Sequence, residues 1–376
     1  MRDLYTVHTR SYRFLRWLFL PLICRVFNFE SAPLPDDVQT PFLLISNHTT
    51  DLDPVLVGAC TQRHMYFVAS EHVLRGGAGA WLLRKLFAPV PRLKGATDAA
   101  AAMAILRRLR GGANVCLFAE GNRSFNGLTG PVFAATGKLV KAAGCTLLTY
   151  RIEGGYLTSP RWSVSLRRGE MRGYPVRTFT PAQLKSMDAE EINRAIAEDI
   201  FEDAYARERT EQIEFRGRRL AEKLETALFL CPRCKATGKL HSRGDELECE
   251  CGLRVQYGLK GELHGDIPFE SVTEWDAWQR ETLPSLLGRG GRLWADEVRL
   301  LPLSGREKAK KGTLYAEDDS LVLDDLRMPV RGISDMAIAG RGRIKLTFEG
   351  EHYEIRGAKD FCARKYLLFY QQKRSE

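Results

Sequence analysis

The stretch Phe42-Leu43-Leu44-Ile45-Ser46-Asn47-His48-Thr49-Thr50-Asp51-Leu52-Asp53-Pro54 runs from an apolar segment through a polar turn into a helix start. Phe42 to Ser46 has the length and apolarity of a strand. Asp53-Pro54 reads as a helix opening, with Asp as N-cap and Pro at the first helical position. A strand that delivers polar residues to such a turn is where an α/β sheet presents side chains to a ligand crevice.

The neighbouring sequence repeats the alternation. Strands are predicted at 65–69, 114–118, 146–152 and 162–166, and helices at 54–60, 72–87, 97–109 and 132–143. Thr97 and Asp98 suit the start of the third helix. Arg107, Arg108 and Arg110 before Gly111-Gly112 suit its end. Strands alternating with helices predict an α/β domain on a mainly parallel sheet.

His48 and Asp53 make a His-x4-Asp pair, which alone is weak: Asp53 could simply cap the helix. A second polar turn, Phe118-Ala119-Glu120-Gly121-Asn122-Arg123-Ser124, follows another strand candidate. Gly121 there permits a tight turn that brings backbone donors and Arg123 near a phosphate. Pro91-Arg92-Leu93-Lys94-Gly95 puts two cations on a loop. An alcohol is a poor nucleophile, and a histidine that removes its proton in the transition state contributes roughly 10²–10⁴-fold. A carboxylate beside it fixes the tautomer and stabilises the imidazolium. No Gly-x-Ser-x-Gly elbow occurs, which disfavours an acyl-enzyme.

In this order and spacing the three elements resemble the PlsC-like glycerolipid acyltransferase family, over about residues 40 to 170. The resemblance implies transfer of an acyl group from acyl-CoA or an acyl-carrier protein to the hydroxyl of a lysophospholipid such as 1-acylglycerol-3-phosphate. It makes His48 the general base and Asp53 its orienting carboxylate. Glu120, Gly121 and Arg123, with the flanking Asn122 and Ser124, would bind the acceptor's polar head. Arg92 falls in the phosphate-binding place of the family's second block, with Lys94 as the fallback. Ala119 replaces the family's Pro, Asn122 its Thr, and no Pro occurs in Leu147-Leu148-Thr149-Tyr150, where a fourth block should fall. These departures touch the acceptor side and leave open another hydroxylated lipid as acceptor. Arg161 in the following loop is a further head-group candidate, or part of a surface loop with a packed Trp162.

Helices are predicted over 189–208 and 212–228. Cys231-Pro232-Arg233-Cys234 and Cys249-Glu250-Cys251 follow, two close thiol pairs of the kind that hold structural zinc in a zinc ribbon. Four cysteine ligands leave no open position, and no redox cofactor is expected. His241 is a weaker alternate ligand. Beyond residue 293 the apolar residues alternate with period two, as in Ile344, Leu346 and Phe348, then Tyr353 and Ile355 across Glu349-Gly350. A second hairpin is read across Asp318-Asp319, and a helix over 358–372 closes the chain. This element order resembles a pleckstrin-homology-like module.

The expected organisation is therefore a membrane-associating segment 1–40, an acyltransferase domain 41–210, a helix and zinc ribbon 211–266, and a β-rich domain 267–376. Arg10, Arg13, Arg16 and Arg25 beside Trp17 and Phe19 fit a helix lying in a membrane interface, and fit equally a helix packed on the protein's own core. A net charge of +9 calls for an anionic partner. An anionic membrane surface suits the family resemblance, placing the protein in the cytoplasm at the inner face of a membrane. A non-catalytic ribbon protein binding nucleic acid is the rival reading. It is disfavoured because the basic residues are dispersed and no aromatic-basic RNA signature occurs.

Overall fold

The computed structural model describes residues 2–70, 85, 88–92, 99–288, 290–303 and 309–375. They form two compact units, residues 1–160 with 167–216 and residues 161–166 with 217–376.

The first unit is built on a seven-stranded sheet. Its strands are β1 (Phe29–Ser31), β2 (Phe42–Ser46), β3 (Met65–Ser70), β4 (Val90–Arg92), β5 (Asn114–Phe118), β6 (Thr146–Glu153) and β7 (Met171–Phe179), in the order β1-β7-β6-β2-β5-β3-β4. Only the β6–β7 pair is antiparallel. The unbroken apolar run of β2 follows from burial on both faces: Leu43 and Ile45 enter one core, Phe42 and Leu44 the other. Strand β2 is central, so Ser46 lies beside Phe118 of β5 and Tyr150 of β6. The turns after β2 and β5 therefore share one edge of the sheet.

Helix α1 (Arg2–Phe27) belongs to this unit. Tyr12, Leu20 and Phe27 are buried, and Arg16 donates from Nε to Gly58 O at 3.1 Å. Phe14, Trp17, Leu18 and Leu22 face outward, Trp17 with 72% of its surface exposed. The buried face bears out packing of this segment on the protein's own core. No helix among the described residues is long and apolar enough to cross a membrane.

The other helices of the unit are α2 (Asp53–Val57), α3 (Ala99–Arg110), α4 (Ala135–Ala143), α5 (Gly155–Thr158), α6 (Pro181–Ser186), α7 (Ala189–Ile200) and α8 (Ala204–Glu211). The helix expected over 189–208 is two, because Phe201 is extended and Asp203 caps a new start through its side chain. The helix expected over 212–228 does not form. Gln212, Arg219 and Lys223 have positive φ, leaving only a 3-10 turn at Leu224–Thr226. Leu220, Leu224 and Leu228 are buried all the same, so their spacing reported burial without helix. Residues 162–166 form no strand; β7 takes that part and was hidden by Pro175, which sits at a register shift opposite Tyr150. The expected helix 72–87, apart from Lys85, and its neighbours Lys94, Thr97 and Asp98 lie outside the described residues.

In the second unit β8 (Leu240–Arg243), β9 (Glu246–Cys249), β10 (Arg254–Tyr257) and β11 (Leu263–Gly265) form an antiparallel meander. Helix α9 (Val272–Leu287) follows, unforeseen, with Ser271 as its N-cap. A seven-stranded antiparallel sheet completes the unit: β12 (Arg292–Pro302), β13 (Lys310–Glu317), β14 (Ser320–Leu323), β15 (Leu326–Pro329), β16 (Ile333–Ala339), β17 (Arg343–Phe348) and β18 (Glu351–Gly357). Their order is β15-β14-β13-β12-β18-β17-β16, and α10 (Ala363–Ser375) closes it. Both expected hairpins are present, β13–β14 and β17–β18.

Candidate active site

Adjacent parallel strands bring the two polar turns together, and side chains lock them there. His48 Nδ1 lies 2.8 Å from Asp53 Oδ2. Asp53 is fully buried, and its Oδ2 also accepts the backbone N–H groups of Thr49 at 2.5 Å and Thr50 at 2.9 Å. The Thr50 hydroxyl donates to Oδ1 at 2.7 Å. Asp53 is the first helical residue rather than the N-cap, which is Leu52. Its carboxylate organises the loop before the helix and orients the imidazole at once. The ring stacks on Phe118 with centroids 4.5 Å apart, and the side chain is 22% exposed. With Nδ1 on the carboxylate, Nε2 is the nitrogen left for a substrate proton.

Glu120 is turned inward. One carboxylate oxygen accepts the N–H of His48 at 2.7 Å and the other the N–H of Gly130 at 2.5 Å. Burial pushes its pKa up to about 8, against the pull of those two backbone bonds. Ser124 is likewise buried: its hydroxyl donates to Leu128 O and accepts from Gly127 N, while its own N–H donates to His48 O at 3.0 Å. These two expected head-group ligands spend their polar atoms on the frame.

Arg123 ties the turns from the outer side. Nε donates to Thr49 O at 3.0 Å and Nη2 to Ser159 O at 2.6 Å, while Nη1 pairs with the exposed Asp51 at 2.8 Å. Gly121 has φ of +69°, and a β-carbon there would lie 2.4 Å from the Phe133 ring. Arg92 stacks its guanidinium on the same ring, 4.5 Å from the centroid, and Nη1 comes within 3.7 Å of that β-carbon position. Arg92 thus joins Gly121 at the site, with half-buried Asn122 on the same turn. Arg161 does not: it belongs to the second unit, where it donates to Ile338 O and Gly340 O.

Sequence reasoning missed three contributors, Thr49, Thr50 and Phe133. Thr49 and Thr50 lay inside the quoted motif and are short hydroxyls able to bond a nearby carboxylate. Phe133 gave no signal. Gly155 packs so close that a β-carbon would fall 2.1 Å from Thr49 Oγ1.

In the second unit the sulfurs of Cys231, Cys234, Cys249 and Cys251 lie within 4.8 Å of one another, and all four thiols are free. Cys231–Cys251 and Cys234–Cys249 are separated by 3.8 and 3.7 Å. A tetrahedron with metal–sulfur bonds of about 2.3 Å has edges of about 3.8 Å, so the donor set fits one four-coordinate ion. His241 stands outside the cluster, 3.7 Å from Glu250.

Residues 26–153 match the family model described as Acyltransferase. Among solved structures the chain is similar to the 1-acyl-sn-glycerophosphate (LPA) acyltransferase PlsC from Thermotoga maritima. The identity is 18% and the TM-score 0.39, over 53% of this chain and 95% of that one. No curated protein matches the chain by sequence. The segment that holds these two motif turns, locked side by side, is thus the segment that matches the Acyltransferase family model.

Proposed function

We propose that the protein transfers a fatty acyl group from an acyl-CoA or acyl-carrier-protein thioester to the hydroxyl of a lysophospholipid such as 1-acylglycerol-3-phosphate, with His48 as general base. The observation that carries this is the 2.8 Å bond between His48 Nδ1 and a fully buried Asp53, itself held by two backbone N–H groups. In the reaction Nε2 takes the proton of the acceptor hydroxyl as its oxygen attacks the thioester carbonyl. The tetrahedral adduct then expels the thiolate, which takes that proton from the imidazolium. The products are an ester and a free thiol. Asp53 keeps the imidazole in the required tautomer and stabilises its charged form. Arg92 is the cation best supported as a contact for an anionic head, and Lys94 remains its fallback.

The test is release of free thiol by the purified protein given acyl-CoA and lysophosphatidate, compared with His48→Ala. Full activity in that variant would sink the assignment. The contacts of Arg123 favour a second acceptor class. Its guanidinium already meets two carbonyls and Asp51, so fewer donors face a phosphate. A lysolipid panel with and without phosphate separates the two acceptors.

The four-cysteine cluster is proposed to hold structural zinc in a zinc ribbon. The outward apolar stripe of α1 supports peripheral attachment to a membrane, at its inner, cytoplasmic face.

A further inference from the structure

On the outer face of the second unit's large sheet, four cations follow one another along one register row, which ends at Ala339 of β16 opposite Arg343. Arg299 of β12 pairs directly with Lys311 of β13 on one side and with Arg356 of β18 on the other, and Arg356 pairs with Arg343 of β17. Directly opposed residues of an antiparallel sheet project to the same face. All four are exposed, whereas their chain neighbours Val298, Leu300, Ile344 and Ile355 are buried on the other side. Three interstrand spacings make the row about 14 Å long.

Counter-charge beside the row comes from Glu297, which stands opposite Thr313 on the same face, and from Glu354. Two residues along and on the same face, Lys345 stands opposite Glu354, which is 3% exposed. Burial alone would raise Glu354. The hydrogen bond from Arg356 and the charges of Lys345 and Arg343 outweigh it and hold the group below the usual carboxylate range. That one carboxylate serves three cations. Among the described residues, Arg299 and Lys311 form no ion pair. Like charges directly opposed on a sheet destabilise it, so a row of four costs stability until an anionic surface supplies counter-charge.

We propose that this row is a docking surface for a bilayer bearing anionic lipid headgroups. Its charges lie on one sheet face. Leu303, just beyond β12 and four residues along from Arg299, is 39% exposed and bonded through its N–H to His352 O. No aromatic side chain stands in the row, whereas surfaces for single-stranded nucleic acid interleave aromatics with cations. The choice of a bilayer also rests on the acyl-transfer reading, which makes lipid the medium of the substrate.

The test is sedimentation of the full-length protein with phosphatidylcholine vesicles, with and without phosphatidylglycerol. Each cation near an anionic surface strengthens binding about fivefold, so R299E/R343E should weaken binding to the phosphatidylglycerol vesicles by at least about tenfold. Binding to phosphatidylcholine alone, through α1, should not change. Circular dichroism checks folding, and R299Q/R343Q replaces the reversal if that variant does not fold. Unchanged binding of a folded variant to the anionic vesicles overturns the proposal. So does loss of binding to a single-stranded RNA oligomer while vesicle binding stays intact. Turnover of a detergent-dispersed lysolipid is measured separately: its absence in the wild type overturns the acyl-transfer reading and leaves the vesicle comparison standing.

Discussion

Glu120 holds the backbone N–H of His48 at 2.7 Å, joining the end of β5 to the end of β2. A residue whose motif suggests a substrate contact is here a clamp on the backbone of the proposed base.

Glu120→Gln should therefore damage the frame more than substrate affinity. Gln offers one acceptor where Glu offers two, and its amide would face the N–H of His48 or Gly130. One unsatisfied buried donor costs about 1–3 kcal/mol. The urea midpoint should fall, and kcat should drop with KM little changed. A raised KM at unchanged kcat would instead assign Glu120 to the acceptor.

Asp53→Asn should lower kcat by roughly 10²–10⁴-fold, because Asn supplies one acceptor oxygen and permits the wrong imidazole tautomer. His48→Ala should fall in the same range. The double variant should be little worse than either single one, since the pair acts as a unit. Steady-state kinetics on the three variants decide it, and additive losses would refute the coupling.

Phe133 carries Arg92 on its ring. A cation–π contact contributes about 0.5–2 kcal/mol, so Phe133→Ala should raise KM for a phosphate-bearing acceptor about three- to tenfold. Phe133→Tyr should restore most of it. Equal KM changes for phosphate-bearing and neutral acceptors would show that the ring only packs.

Glu202 is wholly buried, accepts the N–H of Gly154 at 2.7 Å, and is pushed by burial up to about 8. Its proton is held more tightly in the folded chain than in the unfolded one. Its contribution to stability is therefore fully present below about pH 4.5 and is lost as pH rises toward 8. Urea denaturation across this range should show the decline, and Glu202→Gln should flatten it. An unaltered slope in the variant would place the titration elsewhere.

Elemental analysis should find one zinc per chain, lost in Cys249→Ser. A strong chelator should lower the melting temperature of the wild type and leave that of the variant unmoved. A wild type that melts identically with and without chelator would count against a structural ion.

The parallel core of the first unit was legible because β2 and β5 are buried on both faces, and such strands write unbroken apolar runs. His48, Asp53 and Arg123 were legible because their turns follow those runs. What the side chains do there was less so. Glu120 points inward through a partner 72 positions away, a relation that no local pattern encodes. Helix α9 was announced by Ser271 and Glu274 three residues apart, a capping signal overshadowed by the strand periodicity after it. The false helix at 212–228 shows the converse, since helical spacing of leucines arises wherever an irregular segment buries every fourth residue.

Residues 161–166 sit in sequence inside the first unit yet are part of the second, where Trp162 packs edge-on against Tyr257, 5.5 Å between ring centroids. The second unit is thus not one continuous piece of chain. A clone beginning at residue 217 would lack a buried tryptophan and a buried arginine, and a protease cutting near 216 could not release the unit without leaving this insert behind.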